Sequence, residues 1–444
     1  MTEYGLILAG GGAKGSYQLG VWKALQELNI KISAVAGTSV GAINGAVFVQ
    51  GDYELAKRVW ESIDYNAIFN FTLFDSEERA KMSFQEKIDY VKTLIKNRGL
   101  DTHALKTMLT EYLNEKRIRE SDIYYGLVTF SLTDMKPVIK YIDDIPEGKL
   151  ADYIMASAAV PLFQDHVFDD KHYVDGGVYD NVPVSVLADK GYKDLIVVDL
   201  SAIGRVKKVD TTDLNIITIK STHDSGGILQ FEKELVPVNM KAGYLDAMKA
   251  FGKVKGIKYY LNYQDDQFVD LFKIPDQEEY HNWMTDAELV NRQGNPDGFI
   301  TYRMLRRLKT YCDMNLTDMS GFIASMEITA EVLKVDRWKI YTLESLAQAI
   351  LMASKKIVDD QEDTNPIKEI SGLLWNRKEN AHEVKEEPDS MTSKLIHKMD
   401  ISTQKLRSVG YPDLCIANLF IYMLSSRLKQ RFGDDLYLKK FTNC

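Results

Sequence analysis

The chain has 444 residues, 45% hydrophobic and 27% charged, enough for two or three domains and the composition of a folded globular protein rather than a disordered one. Its net charge of −9 argues against nucleic acid as the main partner. Cys312, Cys415 and Cys444 lie far apart without a CxxC pair, so neither a disulfide framework nor a zinc site is readable; reduced thiols in a cytoplasmic protein are the expectation.

Met1-Thr2-Glu3 lacks the basic flank of a secretory signal, and the apolar run after it is too short for one. A strand is expected over residues 4–8, then the turn Gly10-Gly11-Gly12-Ala13-Lys14-Gly15, then a helix over 17–28. A second strand, 34–36, enters Gly37-Thr38-Ser39-Val40-Gly41 and leaves as a helix over 42–49. Helices are expected next at 53–63, 84–96, 104–114, 150–158 and 183–190, and strands at 123–132, 138–142, 195–200 and 214–219. Strands alternating with amphipathic helices predict an α/β fold, a mostly parallel sheet covered on both faces, over residues 1–270.

From residue 277 to 444 the pattern is mainly α-helical, as over 342–357 and 414–431, with polar breaks at 359–363 and 378–390. The longest apolar stretch, 414–424, is well short of the ~20 residues that span a bilayer, so a buried helix is expected there.

The first glycine turn has three readings. Gly10-x-Gly12-x-x-Gly15 matches the dinucleotide fingerprint in letters, but that site needs an acidic residue near the end of the second strand, where Gly37-Thr38-Ser39 stands. A P-loop needs Lys and then Ser or Thr after the last glycine; Lys14 precedes Gly15, so the motif fails. In the third reading, three side-chain-free residues at a helix N-terminus let backbone N–H groups approach and hold an oxyanion. A tight turn with no ligand is the bland alternative.

In the second turn, Gly37 and Gly41 allow the sharp bend that exposes a serine hydroxyl between strand and helix, making Ser39 a candidate nucleophile. An ordinary N-cap would not need two glycines. None of the seven histidines sits in a recognisable catalytic setting; His166 and His172 flank what reads as a short hairpin. The candidate base is Asp175, which ends an extended run and is followed by Gly176-Gly177, although Asp-Gly is also a common plain turn.

Taken together, Gly10–Gly15, Gly37–Gly41 and Asp175-Gly176-Gly177, in this order, resemble the patatin-like phospholipase family. Residues 156–163, 227–231 and 242–246 resemble further segments of it, so the likeness spans about residues 4–262. Lys14 stands where many members have arginine, keeping the charge without the planar fork. The resemblance implies a three-layer α/β/α sandwich and a Ser39–Asp175 dyad. Ser39 would attack a phospholipid or lysophospholipid ester, Asp175 would take its proton, and the N–H groups of Gly10, Gly11 and Gly12, with Val40, would hold the oxyanion. Neither cofactor nor metal is implied. Peripheral membrane contact is compatible with such a substrate. The aromatic run 65–74 and the insertion 83–115 are expected to cover the acyl site. The helical domain, 277–444, could serve regulation, oligomerisation or membrane docking. Two rivals stay open: an acyltransferase or thioesterase with the same dyad, and a non-catalytic lipid- or nucleotide-sensing module.

Overall fold

The computed structural model describes residues 2–63, 103–159, 166–263 except 222 and 224, 276–312 except 287–289, 291–292 and 297, 316–359, and 412–432. The expected helix over 84–96 and the aromatic run 65–74 lie outside these residues. The chain divides into two units, Met1–Gly252 and Lys253–Cys444.

The first unit begins with β1 (Glu3–Leu8), α1 (Ser16–Glu27), β2 (Lys31–Thr38), α2 (Val40–Gln50) and α3 (Tyr53–Ser62). After α4 (His103–Tyr112) and α5 (Glu115–Arg119) come β3 (Tyr124–Ser131), β4 (Lys136–Tyr141) and α6 (Leu150–Ser157). The short pair β5 (His166–Phe168) and β6 (Lys171–Asp175) precedes α7 (Val184–Ala188), β7 (Asp194–Asp199), β8 (Asn215–Lys220) and α8 (Leu235–Ala250). The sheet order is β5-β6-β3-β2-β1-β7-β8, with β4 also paired to β3. From β3 to β8 the neighbours run parallel, while β4, β5 and β6 pair antiparallel. This is the mostly parallel sheet that the alternating pattern predicts.

Both faces of the central strands are covered, which is why they are nearly continuous apolar runs. Ile7, Ala34, Ala36 and Val128 meet Val186 and Leu187 of α7 on one face. On the other, Leu8, Val35 and Tyr125 surround Gly45 of α2, and the Tyr125 hydroxyl donates to the Ala42 carbonyl (2.7 Å). Helix α8 has no counterpart among the expected elements, because Pro237 and Gly243 disguise it. Proline is tolerated in a first turn. Gly243 faces α1, where a Cβ would stand 2.0 Å from the Tyr17 carbonyl oxygen.

The second unit is mainly helical: α9 (Gln277–Asp286), α10 (Gly298–Lys309), α11 (Asp318–Val332), α12 (Leu343–Asp359) and α13 (Pro412–Phe432). A two-residue parallel pair joins β9 (Tyr260–Leu261) to β10 (Ile340–Tyr341). The apolar run 414–424 lies in α13 and is buried from two sides. Phe420, Ile421 and Leu424 pack with Phe322 and Ile350, while Leu414 and Ile416 share a second cluster with Met304 and Ile328. Among the described residues, no helix is long and apolar enough to cross a membrane.

Candidate active site

Ser39 is the single residue between β2 and α2, and it holds φ 57°, ψ −129°. A non-glycine residue there carries strain of about 1–3 kcal/mol, which must be held by its surroundings. The two flanking glycines are steric necessities. A Cβ on Gly37 would fall 2.1 Å from the Gly41 carbonyl oxygen, and one on Gly41 would fall 2.1 Å from that of Leu8. Hydrogen bonds then lock the bend. The Ser39 N–H donates to Ser157 Oγ (3.0 Å), whose hydroxyl donates to the Val128 carbonyl (2.7 Å). Thr38 Oγ1 donates to the Asp180 carbonyl (2.9 Å).

Strand β3 brings Asp175 to this bend. Its partner β4 pairs along residues 126–131 of β3, so β2 and β6 must share the opposite edge. There β2 runs as far as Thr38, opposite Val128, and turns away. β6 arrives antiparallel and ends with Asp175 opposite Thr129, one position further on. The end of one strand therefore meets the end of another. The following Gly176 admits no side chain, since a Cβ would stand 2.2 Å from the Val128 carbonyl oxygen.

Ser39 is 6% exposed and Asp175 4%. Asp175 Oδ1 accepts from the Gly177 N–H (2.7 Å). Oδ2 is buried and has no hydrogen-bond partner within 3.5 Å among the described residues. Burial raises the carboxyl, the nearby Ser39 hydroxyl and the Gly177 N–H offset part of the rise, and the net is about 6.

The glycine loop lies against the same bend. The expectation that Gly10 is an oxyanion donor needs correction: its N–H donates to the Asn181 carbonyl (3.0 Å). Gly10 instead provides clearance, for a Cβ there would stand 3.2 Å from Ser39 Cβ and 2.3 Å from Asn181 Oδ1. The N–H groups of Gly11, Gly12 and Val40 have no acceptor among the described residues. Gly12 has φ 54° and no room for a Cβ, with the Ile228 carbonyl oxygen 2.1 Å away. Gly15 packs on Val40 and Trp60. Lys14 donates its N–H to Gly11 (3.2 Å) and does not line the cavity described next.

Gly11, Gly12, Ser39, Val40, Asp175 and Gly177 line one cavity of about 550 Å³. Its other walls are mostly apolar: Leu55, Val59 and Trp60 of α3, and Leu105, Met108 and Leu109 of α4. The last three belong to the insertion expected to cover an acyl site. Among the described residues of the lining, Asp175 and Arg205 are the only charged side chains and no histidine takes part.

Two asparagines escaped the sequence reading. Asn44 donates to the Gly15 carbonyl (3.0 Å) and to Gln18 Oε1 (2.8 Å), and accepts from Trp60 Nε1 (3.0 Å), tying the bend to the glycine loop. Asn181 joins Gly10 to the turn after Asp175, donating from Nδ2 to the Gly10 carbonyl (3.3 Å). A polar side chain amid the small apolar residues of 40–49 was the available signal for Asn44.

A strained bend that carries a serine hydroxyl into the cavity lining, a buried carboxylate of raised pKa and three N–H groups without an acceptor among the described residues form a set suited to acyl transfer. Sequence comparison agrees on the class. Residues 6–188 match the Patatin-like phospholipase family, and this segment is a patatin-like phospholipase domain. Patatin-like phospholipase domain-containing protein 7 of Rattus norvegicus is 25% identical over 205 residues, covering 44% of this chain and 13% of that protein. Lysophospholipase NTE1 of Eremothecium gossypii is 24% identical over 269 residues, covering 58% and 16%. Patatin-like phospholipase domain-containing protein 6 of Homo sapiens is 24% identical over 225 residues, covering 47% and 14%. The chain thus spans about one seventh of the length of these relatives. Among solved structures, VipD from Legionella pneumophila aligns over 95% of this chain and 91% of its own at 15% identity, with a TM-score of 0.37, too low to carry any argument.

Proposed function

We propose that this chain is a lipid acyl hydrolase that cleaves phospholipid or lysophospholipid esters through a Ser39 acyl-enzyme. The family match supports lipid ester hydrolysis as the class of reaction. The observation that carries the finer reading is the buried Oδ2 of Asp175, without a hydrogen-bond partner within 3.5 Å among the described residues, in the same apolar-walled cavity lining as Ser39.

In this mechanism Ser39 Oγ attacks the ester carbonyl while its proton passes to Asp175. The carbonyl oxygen, now negative, takes hydrogen bonds from Gly11, Gly12 and Val40, each worth roughly 3 kcal/mol in such a setting. The tetrahedral intermediate expels the alcohol, which recovers the proton from Asp175. Water then attacks the acyl-enzyme, again with Asp175 as base, and releases the fatty acid. An aspartate at its usual pKa would be a poor base near neutrality. Burial brings this one up to about 6, so it accepts a proton more readily yet is still mostly ionised at pH 7.

The test is product analysis on phospholipid and lysophospholipid with wild type beside Ser39→Ala. Release of free fatty acid by wild type, lost by at least about 10³-fold in the variant, is expected. Equal release by both proteins would refute the assignment.

A further inference from the structure

We propose that the loop over residues 201–208, at the mouth of the cavity, docks onto the surface of an anionic lipid bilayer. The proposal rests on the hydrolase reading for what the cavity takes. Ile203 is 93% exposed and still lines the cavity, so it stands on the rim. Val178, 43% exposed, lines the rim beside it, and Val206 is 58% exposed on the same loop. Scattered exposed aliphatic residues need no explanation; two on one rim, with a third on the same loop, do.

The loop is held in place by its backbone. The Arg205 N–H donates to the Gly177 carbonyl (2.9 Å), and the Arg205 carbonyl accepts from the Asn181 N–H (2.6 Å). The Lys207 N–H donates to Asp180 Oδ1 (3.2 Å). These bonds attach the loop to the turn that carries Asp175, so the aliphatic side chains are presented outward by a fixed frame.

Charge selects the partner. The chain as a whole carries −9, yet Arg205 on the rim is followed on the same loop by Lys207 and Lys208, three cations within four residues. The acid that follows, Asp210, is engaged by the N–H (3.0 Å) and hydroxyl (2.6 Å) of Thr212. Aliphatic tips flanked by cations complement the acyl boundary and the anionic headgroups of a bilayer. The opening they surround is the one through which an acyl chain would leave that bilayer for Ser39.

The test uses the full chain carrying Ser39→Ala, so that lipid is bound and not consumed. It is sedimented with phosphatidylcholine vesicles with or without phosphatidylglycerol. Binding is expected to favour the anionic vesicles and to fall roughly tenfold or more when Val206→Ser and Lys208→Glu are added. With Ser39 restored, the same double variant should hydrolyse a short-chain, water-soluble ester at the wild-type rate, because neither residue lines the cavity. Unchanged vesicle binding, no preference for anionic vesicles, or an equal loss on the soluble ester overturns the proposal. Self-association of the Ser39→Ala chain that the double variant abolishes also overturns it, assigning the face to a second copy. Failure of the hydrolase reading registers separately, as wild-type protein that neither turns over the soluble ester nor is labelled by a fluorophosphonate.

Discussion

Both units of this molecule bury carboxylates, and Glu327 of one and Asp175 of the other are treated in opposite ways. In the helical unit Glu327 is fully buried on α11, and its oxygens collect the N–H groups of Ile257 (2.9 and 3.0 Å), Lys258 (2.9 Å) and Tyr259 (2.7 Å). In the α/β unit Asp175 accepts one N–H and leaves Oδ2 bare among the described residues. A satisfied buried charge holds a loop; an unsatisfied one costs stability and is kept where a proton must be received. Asp180 in the same unit also keeps a buried Oδ2 without a partner among the described residues, so it is the place beside Ser39 in the cavity lining that makes Asp175 the candidate base.

Removing the charge of Asp175 should have the largest effect, and in two directions. Asp175→Asn is expected to lose about 10³-fold or more in turnover of a soluble ester while the Gly177 hydrogen bond is retained. The same variant should be the more stable protein near neutral pH. A carboxyl raised from 3.8 to about 6 in the folded state stabilises most below pH 3.8, when protonated in both states. It loses about 3 kcal/mol as pH rises to about 6 and then levels off. Asparagine escapes that loss, less the cost of its own unpaired amide. Denaturant titration at pH 8 beside a rate assay decides; a variant that is both active and no more stable would dissolve the comparison.

Glu327→Ala should do the reverse. Three backbone N–H groups lose their acceptor, costing roughly 3 kcal/mol. The hydrolysis rate of whatever remains folded should stay within about twofold of wild type. A selective loss of turnover at constant folded fraction would show that Glu327 is more than a clamp.

The mildest perturbation is pH itself. With Asp175 as base, kcat/KM should be level above about pH 6 and fall about tenfold per pH unit below it. A profile that stays flat down to pH 4.5 on a soluble ester would place the essential base elsewhere.

Much of this was legible because it is local. The strands under Leu6–Leu8 and Val35–Ala36 are apolar runs bounded by glycines, and the bend at Ser39 needs Gly37 and Gly41 for reasons that hold within five residues. The status of Gly10 was not legible. Whether its N–H is open depends on Asn181, far away in the chain, whose carbonyl takes it. Helix α8 was hidden by Gly243, which local propensity penalises and which only contact with Tyr17 of α1 explains.

The sequence by itself determined the bends, the candidate nucleophile and the candidate base, since each depends on backbone freedom and on side-chain chemistry within a few neighbours. Only the tertiary structure decided that they meet. The shared edge of β3 sets the end of β2 against the end of β6, and burial at that junction gives Asp175 its raised pKa. Pairing and desolvation are properties of distant segments brought together, and no local pattern carries them.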